Sequence, residues 1–226
     1  MSPFESSEAR NASTVPTGVP APGRDLRPVG IVLAGGASRR FGRDKATLEI
    51  ARVGEVETLA GWALRRLEEV CGELAVADAG RAVAPGARSL PDGPGRGPAA
   101  GLLGAAHAFP ARSLLVLACD LPAVPAHLLA KIAAVAAGGN FDLVLPRWEG
   151  GAEPLAALYA PKALAALDRR IAAGNYALYD LAEEPGLIVA TLSAADLVPF
   201  GPPQEIFANV NTPEDLAQWS ARSGRV

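Results

Sequence analysis

Short, continuously apolar runs alternate along this chain with longer segments of helical period, and that alternation restricts the fold more than any other feature. VGIVLA (29–34), ELAVAD (73–78), SLLVLAC (113–119) and DLVLP (142–146) have the length and content of strands. Several are apolar at successive positions, so both faces of their sheet must be covered. TLAGWALRRLEEV (58–70), PAAGLLGAAHAF (98–109) and AHLLAKIAAVAA (126–137) read as helices, with the apolar stripe clearest in the first. Buried strands separated by helices require βαβ units. The expected class is therefore α/β: one Rossmann-like domain with a mostly parallel twisted sheet flanked by helices. Ligands in such sheets gather outside the carboxyl ends of the strands, so the loops after strands should carry the chemistry. Beyond residue 146 the pattern is less regular. RWEGGAEPLAALY reads as two strands around a Gly-Gly turn, KALAALDRRIAA as a surface helix and GLIVATL as another strand. Thr212-Pro213-Glu214-Asp215 opens a last helix, with Thr as N-cap and Pro at the first helical position.

Composition sets the limits of the domain. Residues 1–27 are rich in Ser, Thr, Pro and Gly and offer little apolar surface to offset ordering entropy, so a disordered tail is expected there. The domain is expected over 28–219, with a short C-terminal tail at 220–226. Half of the chain is hydrophobic, enough for a sizeable core. A net charge of −3 argues against a general nucleic-acid or membrane-surface binder, so an anionic ligand needs a local site. Cys71 and Cys119 sit in apolar settings that suit reduced thiols, and no run approaches the roughly 18 apolar residues of a spanning helix. The first residues lack the basic-then-apolar order of a secretory signal, and a cytoplasmic protein is expected.

The strongest local signal follows the first strand, at Leu33-Ala-Gly-Gly-Ala-Ser-Arg-Arg-Phe-Gly-Arg-Asp-Lys45. Glycines where a strand enters a helical segment let backbone N–H groups approach a phosphate without Cβ obstruction. Ser38 adds a hydroxyl donor, Arg40 and Lys45 add positive charge, and Asp44 can orient the lysine. The spacing is neither that of a P-loop nor that of a dinucleotide fingerprint. Four basic residues close behind Gly35 and Gly36 in an acidic protein make a phosphate site a better reading than an ordinary turn.

Asp120 ends an apolar strand, where a carboxylate can hold a hard cation while substrate phosphates and water complete its shell. Its plainer reading is a helix cap ahead of AVPAHLL. Asp92 with Gly97-Pro-Ala-Ala-Gly101 forms a loop that leads into a helix. That carboxylate could accept from the N1–H and N2–H₂ edge of guanine, or it could be a solvated Asp in a Gly/Pro turn. His107 and His127 read as structural and Cys119 as a small core hydrophobe. Trp62, Trp148 and Trp219 share no periodic spacing and receive no stacking role.

Taken in order, these segments resemble a known family. L-A-G-G-x-S-x-R-M-G-x-D-K is the signature of the molybdenum cofactor guanylyltransferases (MobA family) within the nucleotidyltransferase superfamily, and the chain matches it with Phe41 in place of Met. The likeness continues through Asp92 with GPAAG (97–101), VLACDLP (116–122), EPLAALY (153–159) and NVNTPEDL (209–216), covering about residues 28–219.

The resemblance implies a nucleotidyltransferase that moves GMP from GTP to the terminal phosphate of molybdopterin, with Mg²⁺ as cofactor and pyrophosphate as product. It implies phosphate binding by Leu33, Ala34, Gly35, Gly36, Ser38, Arg40 and Lys45, and base and ribose contacts from Asp92, Gly97 and Gly101. Asp78 stands where the family often carries Asn and is the remaining nucleotide candidate. Asp120 is implied as metal ligand, with Asn211 second; the plainer reading of Asn211 is a cap for the last helix. Arg40, Lys45 and Asp120 would carry catalysis. The acceptor would fall to Arg147, Glu153, Pro154, Asn175 and Tyr176, although GNYALYDL (174–181) lacks the basic residues the family often places there. Transient contact with molybdoenzymes or cofactor-insertion proteins would follow. Two rivals remain: a cytidylyltransferase or another small-molecule phosphate nucleotidyltransferase of the same fold, and a non-catalytic nucleotide-binding relative. L-A-G-G favours the guanylyl branch over the L-A-A-G form of the cytidylyl relatives, and Lys45 with Asp120 together speak for catalysis.

Overall fold

A computed structural model describes residues 27–35, 44–52 and 55–223; the expectation of a disordered tail falls on residues outside these. In chain order, β1 (Val29–Leu33) is followed by a 3₁₀ turn over Lys45–Thr47. Then come β2 (Glu49–Arg52), β3 (Glu55–Thr58), α1 (Leu59–Glu68), β4 (Glu73–Ala77), β5 (Arg88–Leu90), α2 (Gly97–Ala108), β6 (Leu114–Ala118) and α3 (Ala126–Gly138). The C-terminal part holds β7 (Leu143–Trp148), β8 (Gly151–Ala152), β9 (Ala156–Tyr159), α4 (Pro161–Ala172), β10 (Val189–Leu192), α5 (Ala194–Leu197), α6 (Pro203–Ile206) and α7 (Pro213–Ser223).

The main sheet runs β10-β7-β9-β6-β1-β4-β5, with β8 attached to β7. β1 pairs in parallel with β4 and β6, β4 with β5, and β7 with β10, while β9 lies antiparallel between β6 and β7. The mostly parallel α/β class is therefore correct. β1 and β6 are buried at every position, because α1 packs on one side of the central strands and α2 on the other. α2 is buried along most of its length, against β1, β4, β5 and α4. A helix enclosed on so many sides needs no polar stripe, which is why PAAGLLGAAHAF carries none.

From β1 the chain builds outward to β4 and β5, then returns to add β6 on the other side of β1. That reversal is a topological switch point, and it opens a crevice at the carboxyl ends of β1 and β6. Ladder bonds continue past the strand ends: Ala34 N donates to Ala77 O at 3.0 Å and Cys119 N to Leu33 O at 3.1 Å. Ala34, Asp78 and Cys119 thus emerge side by side.

Several short elements are absent from the sequence reading: β2 and β3, which pair antiparallel with Ile50 opposite Glu57, the three-residue β5, and the four-residue α5 and α6. The last helix starts as expected: Asp215 N donates to Thr212 Oγ1 at 3.1 Å while the Asp215 carboxylate accepts from Thr212 N at 2.8 Å. It runs to Ser223, past the boundary expected at 219. Trp62 and Trp219, without common spacing in sequence, meet edge to face at 5.7 Å between ring centroids.

Candidate active site

The site is assembled where the central strands end. Leu33 and Ala34 are buried, and their backbone groups bond Cys119, Ala77 and Arg81. Gly35 is exposed, and a Cβ built there would meet nothing within 4 Å. Gly36, Ser38 and Arg40 lie outside the described residues.

Lys45 is held by local chemistry. Asp44 caps the Lys45–Thr47 turn, its Oδ1 accepting from Ala46 N at 3.1 Å and its carbonyl from Thr47 Oγ1 at 2.9 Å. Lys45 Nζ then reaches Asp120 Oδ2 at 2.8 Å and Asn211 Oδ1 at 3.0 Å. Residues 75 and 166 positions apart in sequence from Lys45 thus converge on one ammonium group.

The two capping alternatives fail. α3 begins after Pro125 with no side-chain cap bond, and the cap of α7 comes from Thr212. Asp120 and Asn211 both turn to Lys45. The segment after Asp120 is anchored to α1, since Trp62 Nε1 donates to Pro122 O at 2.8 Å and Arg66 Nε to Val124 O at 2.9 Å. Asp120 O accepts from Val210 N at 2.9 Å, and that bond places Asn211 beside it.

The Asp120 carboxylate is unevenly satisfied. Oδ2 accepts from Lys45, whereas Oδ1 is buried with no hydrogen-bond partner among the described residues. A buried, unpartnered carboxylate oxygen is costly unless a ligand meets it. A single carboxylate with an amide oxygen nearby suits a hard cation that takes its other ligands from water and phosphate.

The Asp92 loop lies over the start of α2. Gly93 N donates to Ala100 O at 2.8 Å. A Cβ on Gly104 would overlap the Pro91 carbonyl oxygen and come within 2.8 Å of Gly93 N, so only glycine permits this approach. Burial raises the Asp92 pKa above its ordinary value; Arg81 opposes the rise and Asp78 adds to it. Gly97 opens α2 at φ +58°, a conformation that favours glycine, with open space where its Cβ would be.

Two nucleotide candidates have structural roles. Asp78 is fully buried, and its carboxylate accepts from Gly80 N, Val83 N and Ser89 Oγ at 3.1, 2.9 and 2.5 Å. Its own loop and β5 supply these donors, so the side chain holds the turn after β4. Gly101 is also buried. A Cβ there would stand 3.4 Å from Ala77 Cβ and Leu33 Cδ2, so this glycine sets the packing of α2 against the strand ends.

The acceptor candidates separate. Glu153 is half-buried just before the turn that leads into β9. The bond from Ala118 N to Leu155 O holds this turn against the end of β6, close enough for Glu153 to feel the Asp120 charge. Burial pushes its carboxyl up to about 7; the bond it accepts from Leu155 N lowers it, and the Asp120 charge raises it. Pro154 O accepts from the buried Tyr159 hydroxyl at 2.7 Å. Tyr176 lies elsewhere, against Gly95 with Arg96 above its ring at 6.0 Å. Asn175 Oδ1 accepts from Ala177 N within its own turn at 3.0 Å, and Arg147 pairs with Glu183 at 2.6 Å.

Comparison with known proteins supplies the family. The model of the MobA-like NTP transferase domain matches residues 30–186. The chain belongs to the MobA-like NTP transferase family. It is a nucleotidyltransferase by family and by fold. Among relatives of this MobA-like chain, a Pelotomaculum thermopropionicum protein named "Probable molybdenum cofactor guanylyltransferase" is 32% identical over 211 residues, covering 89% of this chain and 98% of that one. The Molybdenum cofactor guanylyltransferase of Rhodobacter capsulatus is 33% identical over 200 residues, covering 85% and 95%. Among solved structures, molybdopterin-guanine dinucleotide biosynthesis protein A of Archaeoglobus fulgidus superposes with a TM-score of 0.73 at 26% identity, over 88% of this chain and all of that one.

Arg81 and Gly104 were missed by the sequence reading. Arg81 stands in a loop with no motif, and Gly104 is one of many small residues in an apolar helix.

Proposed function

We propose that this MobA-like transferase moves GMP from GTP to the terminal phosphate of molybdopterin and releases pyrophosphate, with Mg²⁺ as its metal. The observation that carries the reading is the convergence of Lys45, Asp120 and Asn211 at the switch point, with Asp120 Oδ1 buried and unpartnered. The names of the relatives supply the guanylyl group and the acceptor.

An oxygen of the acceptor phosphate attacks the α-phosphorus of GTP. The bond from that phosphorus to the α,β-bridging oxygen breaks, and pyrophosphate leaves with the electron pair. A phosphate monoester has a second pKa near 6, so the nucleophile is already ionised at neutral pH and no general base is required. Positioning and charge stabilisation then suffice. Asp120, with Asn211 beside it, would hold Mg²⁺. Bound there, the ion would neutralise charge on the phosphates. Lys45 would pair with the triphosphate, and backbone N–H groups near Gly35 would face its oxygens. Asp92 would read the guanine edge, and Glu153 and Pro154 would border the acceptor. Among the described residues no helix is long and apolar enough to cross a membrane, and we place the reaction in the cytoplasm.

Thermal shift with each of the four nucleoside triphosphates and Mg²⁺ tests the nucleotide, and pyrophosphate release with and without molybdopterin tests the acceptor. GTP should stabilise most, and release should require molybdopterin. Equal stabilisation by CTP would overturn the guanylyl assignment. Binding of GTP with no pyrophosphate released would point to a non-catalytic relative.

A further inference from the structure

Arg81 follows β4 in a loop that no nucleotide motif marks, yet its guanidinium joins three separate segments. Nε donates to Asp78 O at 2.7 Å, Nη2 donates to Ala34 O at the end of β1, and Nη1 pairs with the Asp44 carboxylate. Asp44 is the cap of the Lys45–Thr47 turn. Lys45 in turn reaches Asp120 and Asn211. Polar contacts therefore run from the ends of two central strands through Arg81 to the Asp44 carboxylate, which caps the turn whose first residue carries the ammonium group at the site.

The loop that presents Arg81 is built to hold one conformation. Ala79 and Ala82 adopt φ of +58° and +53°, a region unfavourable for residues with a Cβ. The buried Asp78 carboxylate offsets that cost by accepting from Gly80 N, Val83 N and Ser89 Oγ. The side chain so placed has a planar fork that can meet several acceptors at once, which an ammonium group cannot do. Lys45 itself lies on no strand of the main sheet. Arg81 supplies a direct tie between its turn and the strand ends that carry the rest of the site.

We propose that Arg81 is a positioning residue for phosphate binding: through Asp44 it sets Lys45 relative to the ends of β1 and β4. This rests on the reading above that Lys45 meets the triphosphate. Arg81 then needs no contact with substrate, and its effect on phosphate binding requires Lys45.

The test measures equilibrium binding of two probes, inorganic triphosphate and guanosine, to the full chain and to Arg81→Ala, Arg81→Lys, Lys45→Ala and the double variant Arg81→Ala/Lys45→Ala. Melting temperatures are recorded for each. Arg81→Ala should weaken triphosphate binding about tenfold, the scale of a charge-assisted contact, and leave guanosine binding within about twofold. Arg81→Lys should not restore it. With Lys45 already replaced, Arg81→Ala should have no further effect on triphosphate. An equal loss with and without Lys45 would overturn the proposal and make Arg81 a direct ligand. Loss of guanosine binding in parallel with triphosphate would also overturn it, as a general disturbance of the loop. Normal triphosphate binding by Arg81→Ala would overturn the positioning role alone. A wild-type chain that binds no triphosphate would overturn the phosphate reading itself.

Discussion

The two ends of this site are built differently. On the nucleotide side, β1, β4 and β6 end side by side, and each end leads to a group that faces the crevice or holds one that does. On the proposed acceptor side, between residues 147 and 188, the side chains mainly satisfy one another: Arg147 pairs with Glu183, Arg170 with Glu184, and Asn175 bonds its own turn. Parallel topology brings strand ends together whatever their sequence, and there the unpartnered Asp120 oxygen, not burial of a carboxylate alone, marks the site. A region of short strands and turns has no such focus, and its polar residues first close their own loops.

Substitutions can break or sharpen that contrast. The largest effect is expected at Lys45. Lys45→Ala should lower kcat/KM for GTP by about 10²–10³, the scale of losing one strong electrostatic contact to the reacting phosphates. Steady-state pyrophosphate release reads this, and a loss under threefold would remove Lys45 from the chemistry.

Gly104→Ala comes next, and it acts through folding. Its Cβ would overlap the Pro91 carbonyl, so overpacking should cost about 2–3 kcal/mol. That corresponds to a drop of roughly 5–10 °C in Tm for a chain of this size. An unchanged Tm would show that the Asp92 loop can move away from α2.

Glu153 gives a smaller effect with a definite sign. Its carboxyl is raised from 4.5 to about 7 in the folded protein, so the folded state holds a proton that the unfolded chain has released. Stability should decline as pH rises from about 4.5 through 7, and Glu153→Gln should remove part of that decline. Thermal melts of both proteins from pH 5 to pH 8 should show the variant gaining relative to wild type. A constant difference would contradict the burial of that carboxylate.

The smallest effect is expected at Arg147. Its pair with Glu183 is well exposed on both sides, so Arg147→Ala should change Tm by no more than about 1–2 °C. GTP binding should be unchanged. A large rise in KM for molybdopterin alone would show that the acceptor opens this pair, and would bring the second half of the site closer in kind to the first.

What could be read from sequence follows the same division. The central strands, four long helices and the Thr212 cap were legible because apolar period and capping chemistry are local. Asp120 was legible as a carboxylate at a strand end, and Lys45 as a basic residue of the glycine-rich motif after the first strand. The β2–β3 pair was not, because LEIARVGEVET mixes charged and apolar residues without a strong turn signal. The structural role of Asp78 was not legible for a related reason: a carboxylate after a strand looks like a ligand, and only the structure shows the donors from Gly80, Val83 and Ser89. Arg81 was invisible because its partners, Ala34 and Asp44, are 47 and 37 positions away.

The central claim is that the Asp120 carboxylate holds the metal at which GMP transfer takes place. The direct test is Mg²⁺-dependent pyrophosphate release from GTP and molybdopterin by Asp120→Asn, with metal-free GTP binding measured alongside. The substitution keeps the shape of the side chain and removes its charge, so the account predicts a rate lower by about 10²–10³ at low Mg²⁺, with folding and metal-free GTP binding retained. Near wild-type release at low Mg²⁺ would contradict it and move the metal site away from Asp120.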